Sequence, residues 1–340
     1  MSRNWKRQLK LTVDDVTLNY TGEIIPGQPV QPDGLRIRFD ISDASVQTPR
    51  IATIVITNLS DATGQKILTK VGKQLTLNVG YEDISGLAFS GEIKQVRLQR
   101  ESPTDKICII NATTRDRAYN NAHVSKTLKA GSTGKDIYET CLKAMAPFGV
   151  TRGVVPDVLS QIHYPRPVTL FGLAREHLRD IALSAGCTWH IRNDSLDLIK
   201  LGEARQGSTI VLNSRSGLIG MPAQTNLGIT AQILFNLAIG IDSKVQLDQA
   251  SIQRAQLNFS AGGDPLNAEP NLPSVAADGL YRVIGMTSLG DTRGEPWYAL
   301  LTLLRLGAGL NRAQVDAGFG LPAQATPEAT PPAGAFIGKN

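Results

Sequence analysis

Apolar and polar residues alternate with a period of two along most of the first 114 residues. The clearest run is Leu35-Arg-Ile-Arg-Phe-Asp-Ile41, whose apolar and charged side chains would point to opposite faces of an extended chain. Further strands are predicted at Ile51–Thr57, Leu75–Tyr81, Phe89–Leu98 and Lys106–Thr113. One helix is predicted between them, starting at Ser60, whose side chain can cap the amides of the turn 61–65. Residues 1–125 are therefore expected to close as a β-sandwich or barrel.

The periodicity becomes helical after Gly131. Ser132 is placed to cap a helix, and Pro147 and Gly149 are placed to end it. The apolar face of this helix would consist of Ile137, Cys141, Leu142 and Met145. These residues predict the first helix of a second region.

A second helix is predicted to follow at Thr169, with Gly186 at the position of a left-handed C-cap. Two strand-like segments come next, Cys187–Arg192 and Leu196–Lys200, and the three residues 193–195 between them have turn chemistry. Two helices and a hairpin indicate a small α+β domain, residues 126–205.

The period of two returns from Thr209 to Leu306, which predicts a second barrel in residues 206–310. Its strands are expected at Ile229–Leu234, Lys244–Leu247, Leu280–Met286 and Trp297–Leu304. The Pro-, Asn-, Asp- and Gly-rich loop Ala261–Gly279 is expected to contact a partner or to stay mobile. Residues 311–340 form an Ala- and Pro-rich tail that cannot pack a core of its own.

The two β regions share a loose sequence similarity. Residues 72–77 and 89–93 of the first are echoed by residues 243–247 and 280–284 of the second. The match is weak, so the residues alone leave internal duplication open.

Composition supports a β-rich, multidomain chain. With 340 residues and 41% hydrophobic content, it can form two or three domains of roughly 100 to 200 residues each. Aromatic residues are scarce at 5% and there are 32 glycines, which favours short strands and tight turns over a helical bundle.

Charge and hydropathy favour a soluble protein made in the cytoplasm. The net charge of +5 comes from interspersed residues, without the basic runs of nucleic-acid or membrane binders. Residues 1–10 lack a signal-like apolar stretch, and no run reaches the ~18 apolar residues of a membrane span.

The residues that most often carry chemistry are few and scattered. The three cysteines, Cys108, Cys141 and Cys187, are expected to be reduced thiols in apolar strands and helices, because their number is odd and their spacing wide. The four histidines, at 123, 163, 177 and 190, lack metal-ligand spacing. Cys187 and His190 should face opposite sides of a strand. The sequence predicts no metal or cofactor.

No catalytic constellation stands out either. Glu176 and His177 diverge on a helix, and the segment 130–135 suits a helix N-terminus better than a phosphate loop. A pair of carboxyl groups could still form a glycosidase site, because sequence spacing does not exclude one. However, the acidic residues at 14–15, 82–83, 194 and 291 lie in turns, where we expect them to bond nearby amides. We therefore assign no catalytic, cofactor-binding or metal residue and expect a non-enzyme.

Several segments resemble the baseplate hub proteins of long-tailed bacteriophages, a double-barrel family similar to late control and tail D proteins. Residues 36–42 and 48–60 look like the first tail-tube-like barrel of that family, and residues 214–222 and 280–298 look like the second. The helix-helix-hairpin of residues 131–201 is similar to the small domain inserted between the barrels. The likeness covers about nine tenths of the chain and fails after Asn311.

The resemblance implies a structural protein of the virion tail baseplate. Three copies would form a ring with six similar edges, joining the tail tube or distal tube protein to a tip spike and letting DNA pass without specific binding. Baseplate wedge or other surrounding tail proteins and a tape measure protein are further implied partners. We expect a neutral or acidic channel wall, because basic contacts to phosphates would hold the DNA.

Two other functions remain open at this point. The helices and hairpin of the middle domain could cradle a glycan, which suits a protein that binds or cleaves cell-wall peptidoglycan at the tail tip. A bacterial secretion or contractile-injection spike component would use the same architecture.

Overall fold

The computed structural model describes residues 6–22, 34–45, 47–82, 84–192, 194–225, 228–248, 252, 276 and 278–308. The predicted tail, residues 311–340, and most of the loop 261–279 lie outside the described residues.

Most of the described residues belong to strands, which confirms the mainly β fold class. The elements are β1 (Arg7–Val13), β2 (Val16–Gly22), β3 (Ile37–Ala44), β4 (Ile51–Thr57), α1 (Asp61–Leu68), β5 (Gln74–Tyr81), β6 (Ile84–Arg100), β7 (Lys106–Thr113), α2 (Asp116–Asn121), β8 (His123–Leu128), β9 (Ser132–Thr133), α3 (Gly134–Met145), β10 (Thr151–Arg152), α4 (Val158–Gln161), β11 (His163–Tyr164), β12 (Val168–Leu173), α5 (Ala174–Ser184), β13 (Cys187–Arg192), β14 (Ser195–Lys200), β15 (Ile210–Leu212), β16 (Leu218–Thr225), β17 (Gly228–Leu234), β18 (Lys244–Leu247), β19 (Leu280–Asp291) and β20 (Trp297–Arg305).

The predicted strands are present, and β4, β7, β13 and β18 have the predicted bounds. The helix predicted at Ser60 is α1, and the Ser60 hydroxyl accepts a hydrogen bond of 3.2 Å from the amide of Thr63. Gly186 has a φ of +63°, as expected for a residue just past the end of α5. Local patterns therefore predicted most of the elements.

Two predictions in the middle region were wrong. The cap of α3 is Thr133 rather than Ser132: the Thr133 hydroxyl accepts from the Asp136 amide, and the Asp136 carboxylate accepts from the Thr133 amide. The second helix, α5, begins at Ala174 rather than Thr169. Residues 168–173 form β12 instead, because they pair with β8, which buries Leu170 and leaves Phe171 outside.

Eight strands form a continuous antiparallel sheet in the order β16-β17-β20-β19-β3-β4-β7-β6. The second half of β6 belongs to this sheet, and its first half pairs with β5, which continues to β1 and β2. In the same way, the start of β19 pairs with β18, which pairs with β15. The expected β regions are thus parts of one sheet, joined where β19 pairs with β3.

The two β regions have the same strand order. The first runs β3-β4-β7-β6-β5 and the second runs β16-β17-β20-β19-β18. The strands β3, β4, β5, β6 and β7 therefore correspond, in chain order and in position, to β16, β17, β18, β19 and β20. Their long strands carry equivalent bulges, between Ile93 and Gln95 in β6 and between Val283 and Gly285 in β19. The weak sequence echo falls on these equivalent strands, β5 with β18 and β6 with β19. The structure therefore shows a duplicated five-stranded unit.

Three main hydrophobic clusters form the interior of the described residues. One lies in the first β region, one in the helical region and one in the second β region. Phe235 and Trp297, from the second β region, join the first cluster, where both rings contact Phe39. The domain limits 1–125, 126–205 and 206–310 remain a prediction, since packing crosses between the regions.

A buried ionic junction links all three regions around the carboxylate of Asp242. Ser45 of the first β region donates a 2.9 Å hydrogen bond to Asp242 Oδ1, and Arg282 Nη1 lies 3.7 Å from the same oxygen. His190 of the middle region places Nε2 3.7 Å from Asp242 Oδ2. Asp242 and Arg282 are both 0% exposed, so this carboxylate is the counter-charge of a fully buried guanidinium.

We expect Asp242→Ala to destabilise the fold by about 3–5 kcal/mol, because it leaves the Arg282 charge buried without its partner. Urea denaturation followed by circular dichroism measures the change. Asp157→Ala, at an exposed aspartate, is the matched control and should change stability by less than about 0.5 kcal/mol. Equal unfolding midpoints for the two variants would contradict the expectation.

Candidate assembly surface

The eight-stranded sheet has one face in the hydrophobic cores and one face outside them. Side chains alternate along each strand, and the strand registers align the outward ones in rows. We call this outward surface the polar face. Its residues include Ile219, Ala223, Thr230, Gln232, Tyr298, Leu300, Thr302, Thr287, Leu289, Asp291, Arg38, Asp40, Ser42, Ile51, Thr53, Val55, Ile109, Asn111, Gln95 and Arg97.

The polar face is nearly neutral. Its hydroxyl and amide side chains are interspersed with aliphatic ones, and its charged members include Arg38, Asp40, Arg97 and Asp291. Asp291 lies opposite Arg38 and pairs with Arg36, which offsets its charge. Arg38 donates a 2.7 Å hydrogen bond to the Glu101 carboxylate, which offsets its charge. The remaining charges, Asp40 and Arg97, are of opposite sign. A wide surface of this kind can face a polyanion without holding it.

Asp40 is the acidic group in the middle of this face. Burial raises the pKa of its carboxyl group, and the hydrogen bond of 3.4 Å from the Ser42 hydroxyl lowers it in part. The ionised form therefore costs stability at neutral pH, because the carboxylate has lost water without gaining a cation.

The sheet ends in two edges. At one end lies β16, whose one strand partner among the described strands is β17. Ile219 and Met221 on this strand are 36% and 64% exposed, and a bulge with Pro222 interrupts the ladder between Ile219 and Ala223. At the other end lies the second half of β6, from Gln95 to Arg100, which pairs with β7 on one side. Both edges thus offer backbone groups to a further strand.

A groove of about 260 Å³ lies beside the β6 edge. It is formed by α1 and by the adjoining ends of β6 and β7, and its lining includes Leu59, Gly64, Leu98 and Ile107. Leu98 is 41% exposed, so the groove opens apolar surface next to the edge. An apolar side chain of a neighbouring strand would find room there.

Two large apolar side chains are exposed among the described residues of the middle region, Val154 at 39% and Phe171. Phe171 on β12 is 81% exposed, on a two-stranded ribbon that β12 forms with β8. A single exposed aromatic residue is ordinary on a protein surface and by itself identifies no partner.

The thiols and histidines form no reactive site in the described residues. All three cysteines are free and buried, as expected, and burial raises the pKa of Cys108 and Cys187 to about 11 and of Cys141 to about 12. Thiols of this kind are poor nucleophiles at neutral pH. His190 faces Asp242, and no cluster of three or more His, Cys, Asp or Glu side chains suited to a metal occurs in the described ranges.

Several acidic turn residues form ion pairs that the sequence did not predict. Asp14 and Asp15 both pair with Lys70, and Asp194 pairs with Arg115. The Asp15 carboxylate also accepts a hydrogen bond from its own backbone amide, as predicted. Lysine and arginine side chains reach these turns from distant segments, which a local pattern does not show. Asp83 lies outside the described residues. Asp291 behaves as predicted in accepting from the Arg293 amide, and it also pairs with Arg36.

No helix among the described residues has the length and apolar composition needed to cross a membrane.

No protein-family model matches the sequence, and no curated protein matches it. The structure, in contrast, is similar to solved structures over most of its length. A 43 kDa tail protein of prophage MuSo2 from Shewanella oneidensis matches with a TM-score of 0.54 and 9% identity, covering 88% of this chain and 97% of that protein. The chain has the fold of a phage tail protein.

Two further structures support this assignment of the fold. A tail protein from Neisseria meningitidis MC58 matches with a TM-score of 0.52 and 11% identity, over 87% of this chain and 96% of that one. The Escherichia coli c3393 protein, a type VI secretion component similar to the T4 tail proteins gp27 and gp5, matches with a TM-score of 0.52 and 10% identity. That match covers 90% of this chain and 80% of c3393. Phage tails and the secretion system therefore share this fold.

We expect Asp40→Asn to stabilise the protein at neutral pH. The folded pKa of Asp40 is raised, so the folded state binds more protons than the unfolded state above the ordinary aspartate pKa, and stability increases as the pH falls through that window. The gain from Asn should therefore shrink towards acidic pH, where both states are protonated. Urea denaturation at several pH values measures it.

Asp61→Asn is the control, and its expected change in stability at neutral pH has the opposite sign. Lys106 lowers the pKa of the exposed Asp61 carboxyl, so this variant should be slightly less stable at neutral pH. A destabilised Asp40→Asn variant at neutral pH would show that the Asp40 carboxylate has a favourable partner instead.

Proposed function

We propose that this chain is a structural, non-enzymatic hub subunit of a phage tail baseplate. Three copies form a ring that joins the tail tube to the tip spike and lets DNA pass. The observation that carries the proposal is the duplicated β unit: three copies of a chain with two equivalent units present six similar sides. Six sides match the six subunits of a tail-tube ring, so a threefold hub can dock on a sixfold tube.

The fold likeness supports this role. Phage tail proteins share the architecture over nearly their whole length, as does a component of the type VI secretion system. On this proposal the partners are a tail tube or distal tube protein on one side and a spike on the other. Baseplate wedge or other surrounding tail proteins contact the outside, and a tape measure protein occupies the centre before ejection. The protein acts in the virion without a cofactor or membrane insertion.

The polar face is the surface of the sheet best suited to line the DNA path. Each Lys or Arg held against a phosphate releases counterions, which makes binding tighter and strongly salt-dependent. Neutral hydroxyl, amide and aliphatic side chains avoid such contacts. A ring with this face inward would let DNA slide.

We expect purified protein to form a trimer, alone or on addition of tube or spike proteins. Exposed sheet edges and apolar side chains drive the assembly because they remain unsatisfied in a lone subunit. Light scattering and native mass measurement give the oligomeric state, and electron microscopy shows whether a ring with a central channel is present. A monomer at micromolar concentration with every partner added would contradict the proposal.

We expect duplex DNA to bind the ring weakly, with a shallow salt dependence. A wall that made 6 to 10 phosphate contacts would instead lose about 10³ to 10⁵ in affinity between roughly 50 and 200 mM salt. Fluorescence anisotropy of labelled DNA at both salt concentrations measures the slope. Tight binding with a steep slope would contradict a neutral conduit.

Adding lysines to the polar face tests whether this face lines the DNA channel. Thr230→Lys with Gln232→Lys adds two cations to the polar face, whereas Ser160→Lys adds one on an exposed surface of the middle region. The first variant should bind DNA more tightly and with a steeper salt slope than the second. Equal slopes would place the DNA path elsewhere.

A further inference from the structure

The junction between the two β units shows how one unit docks on another. In β19, the residues after the bulge, Gly285–Asp291, pair with β3 over residues 38–44. Leu289 lies opposite Asp40 in this pairing. The long strand of the second unit thus adds directly to the first strand of the first unit.

The long strand of the first unit has no such neighbour among the described strands. β6 is equivalent to β19: after its bulge, Gln95 lies opposite Asn111 of β7, as Gly285 lies opposite Thr302 of β20. Likewise, β16 is the first strand of the second unit and is equivalent to β3. The same kind of junction is therefore half-built at each end of the eight-stranded sheet.

We propose that copies of this chain join head to tail, with the second half of β6 in one copy pairing with β16 of the next. The intermolecular junction repeats the intramolecular junction of β19 with β3. The inference rests on the proposed ring and names the surfaces that close it.

Strand direction is consistent with this junction. Seven successive antiparallel pairings connect β16 to β6, so these two strands run in opposite directions. When the ring axis is parallel to the strands, rotation from one copy to the next leaves the direction of every strand unchanged. β6 of one copy therefore meets β16 of the next as an antiparallel pair, and the sheet continues without a change of pattern. A heterologous contact of this kind closes into a ring when the rotation from one copy to the next divides a full turn, as one third of a turn does for a trimer.

The internal junction also fixes the register. Leu289 pairs with Asp40, which pairs with Thr53 of β4. The equivalent of Thr53 is Thr230, which pairs with Ala223, so Ala223 occupies the position of Asp40. Gln99 lies four residues beyond Gln95, and Leu289 lies four residues beyond Gly285, which is the equivalent of Gln95. Gln99 is therefore the equivalent of Leu289. Gln99 of one copy should lie opposite Ala223 of the next.

The side chains at the two edges suit this contact. β16 carries no charged residue, so it approaches Arg97 and Arg100 of β6 without like-charge repulsion. Met221 is 64% exposed on β16, and the groove beside Leu98 opens next to the β6 edge. Pairing would cover apolar surface at both strands as well as their open backbone groups.

The test is a disulfide between copies of the full chain carrying Gln99→Cys and Ala223→Cys. Paired positions on neighbouring strands bring Cβ atoms to about 4.5–5.5 Å, close enough for a disulfide after a small shift. The three natural cysteines are buried and should not interfere. Mild oxidation should give covalent dimers and trimers on a non-reducing denaturing gel, and either substitution alone should give none.

Thr17→Cys with Ala223→Cys is the matched control. Thr17 is exposed on β2, the edge strand of the other layer, and should not cross-link to β16. A cross-link from Arg97→Cys instead of Gln99→Cys would support the pairing with a register shifted by two residues. The Met221→Asp variant should also dissociate to monomers at a protein concentration at which the Ser160→Asp variant remains a trimer.

The two proposals fail in different ways. A trimer that cross-links from neither 97 nor 99 to 223, or that cross-links through β2, overturns the β6–β16 junction and leaves the hub function standing. A chain that stays monomeric with all partners present overturns both.

Discussion

A strand inside a sheet needs hydrogen-bonding partners on both edges, and β19 finds them in different parts of the chain. β20 follows it directly, whereas β3 lies more than two hundred residues before it. This single strand converts two similar β units into one sheet with a common polar face. Without its pairing to β3, the rows of side chains that cross the sheet would be broken in the middle.

The Asp242 junction complements this sheet by fixing the middle region against it. Its groups come from the end of β3, from β13 and from β19, and they meet where water is excluded. Apolar packing tolerates small sliding, whereas a buried guanidinium and carboxylate must meet at one position because an unpaired charge is costly there. The helical region is thus held in a defined orientation against the end of β3 and the start of β19.

Local patterns predicted the strands and the α+β character of the middle region, because each strand that buries one face alternates visibly, as Ile51–Thr57 does. They failed where a distant partner decides the structure. Residues 168–173 suit a helix or a strand, and pairing with β8 selects the strand. The polar face, its edges and the cluster of Ser45, Asp242 and Arg282 depend on strand order, which periodicity does not contain. Internal duplication was only a faint sequence echo and became clear as topology.

The interrupted edge of β16 has a consequence for the subunit before it assembles. A long, flat and open edge would template stacking of many chains into aggregates while the protein accumulates. The bulge, the left-handed Gly220 and Pro222 bend this edge and remove one donor from it. Only a strand with matching curvature can then pair along its full length. The same irregularity that looks like a defect in the sheet would limit non-specific association between free copies of the chain.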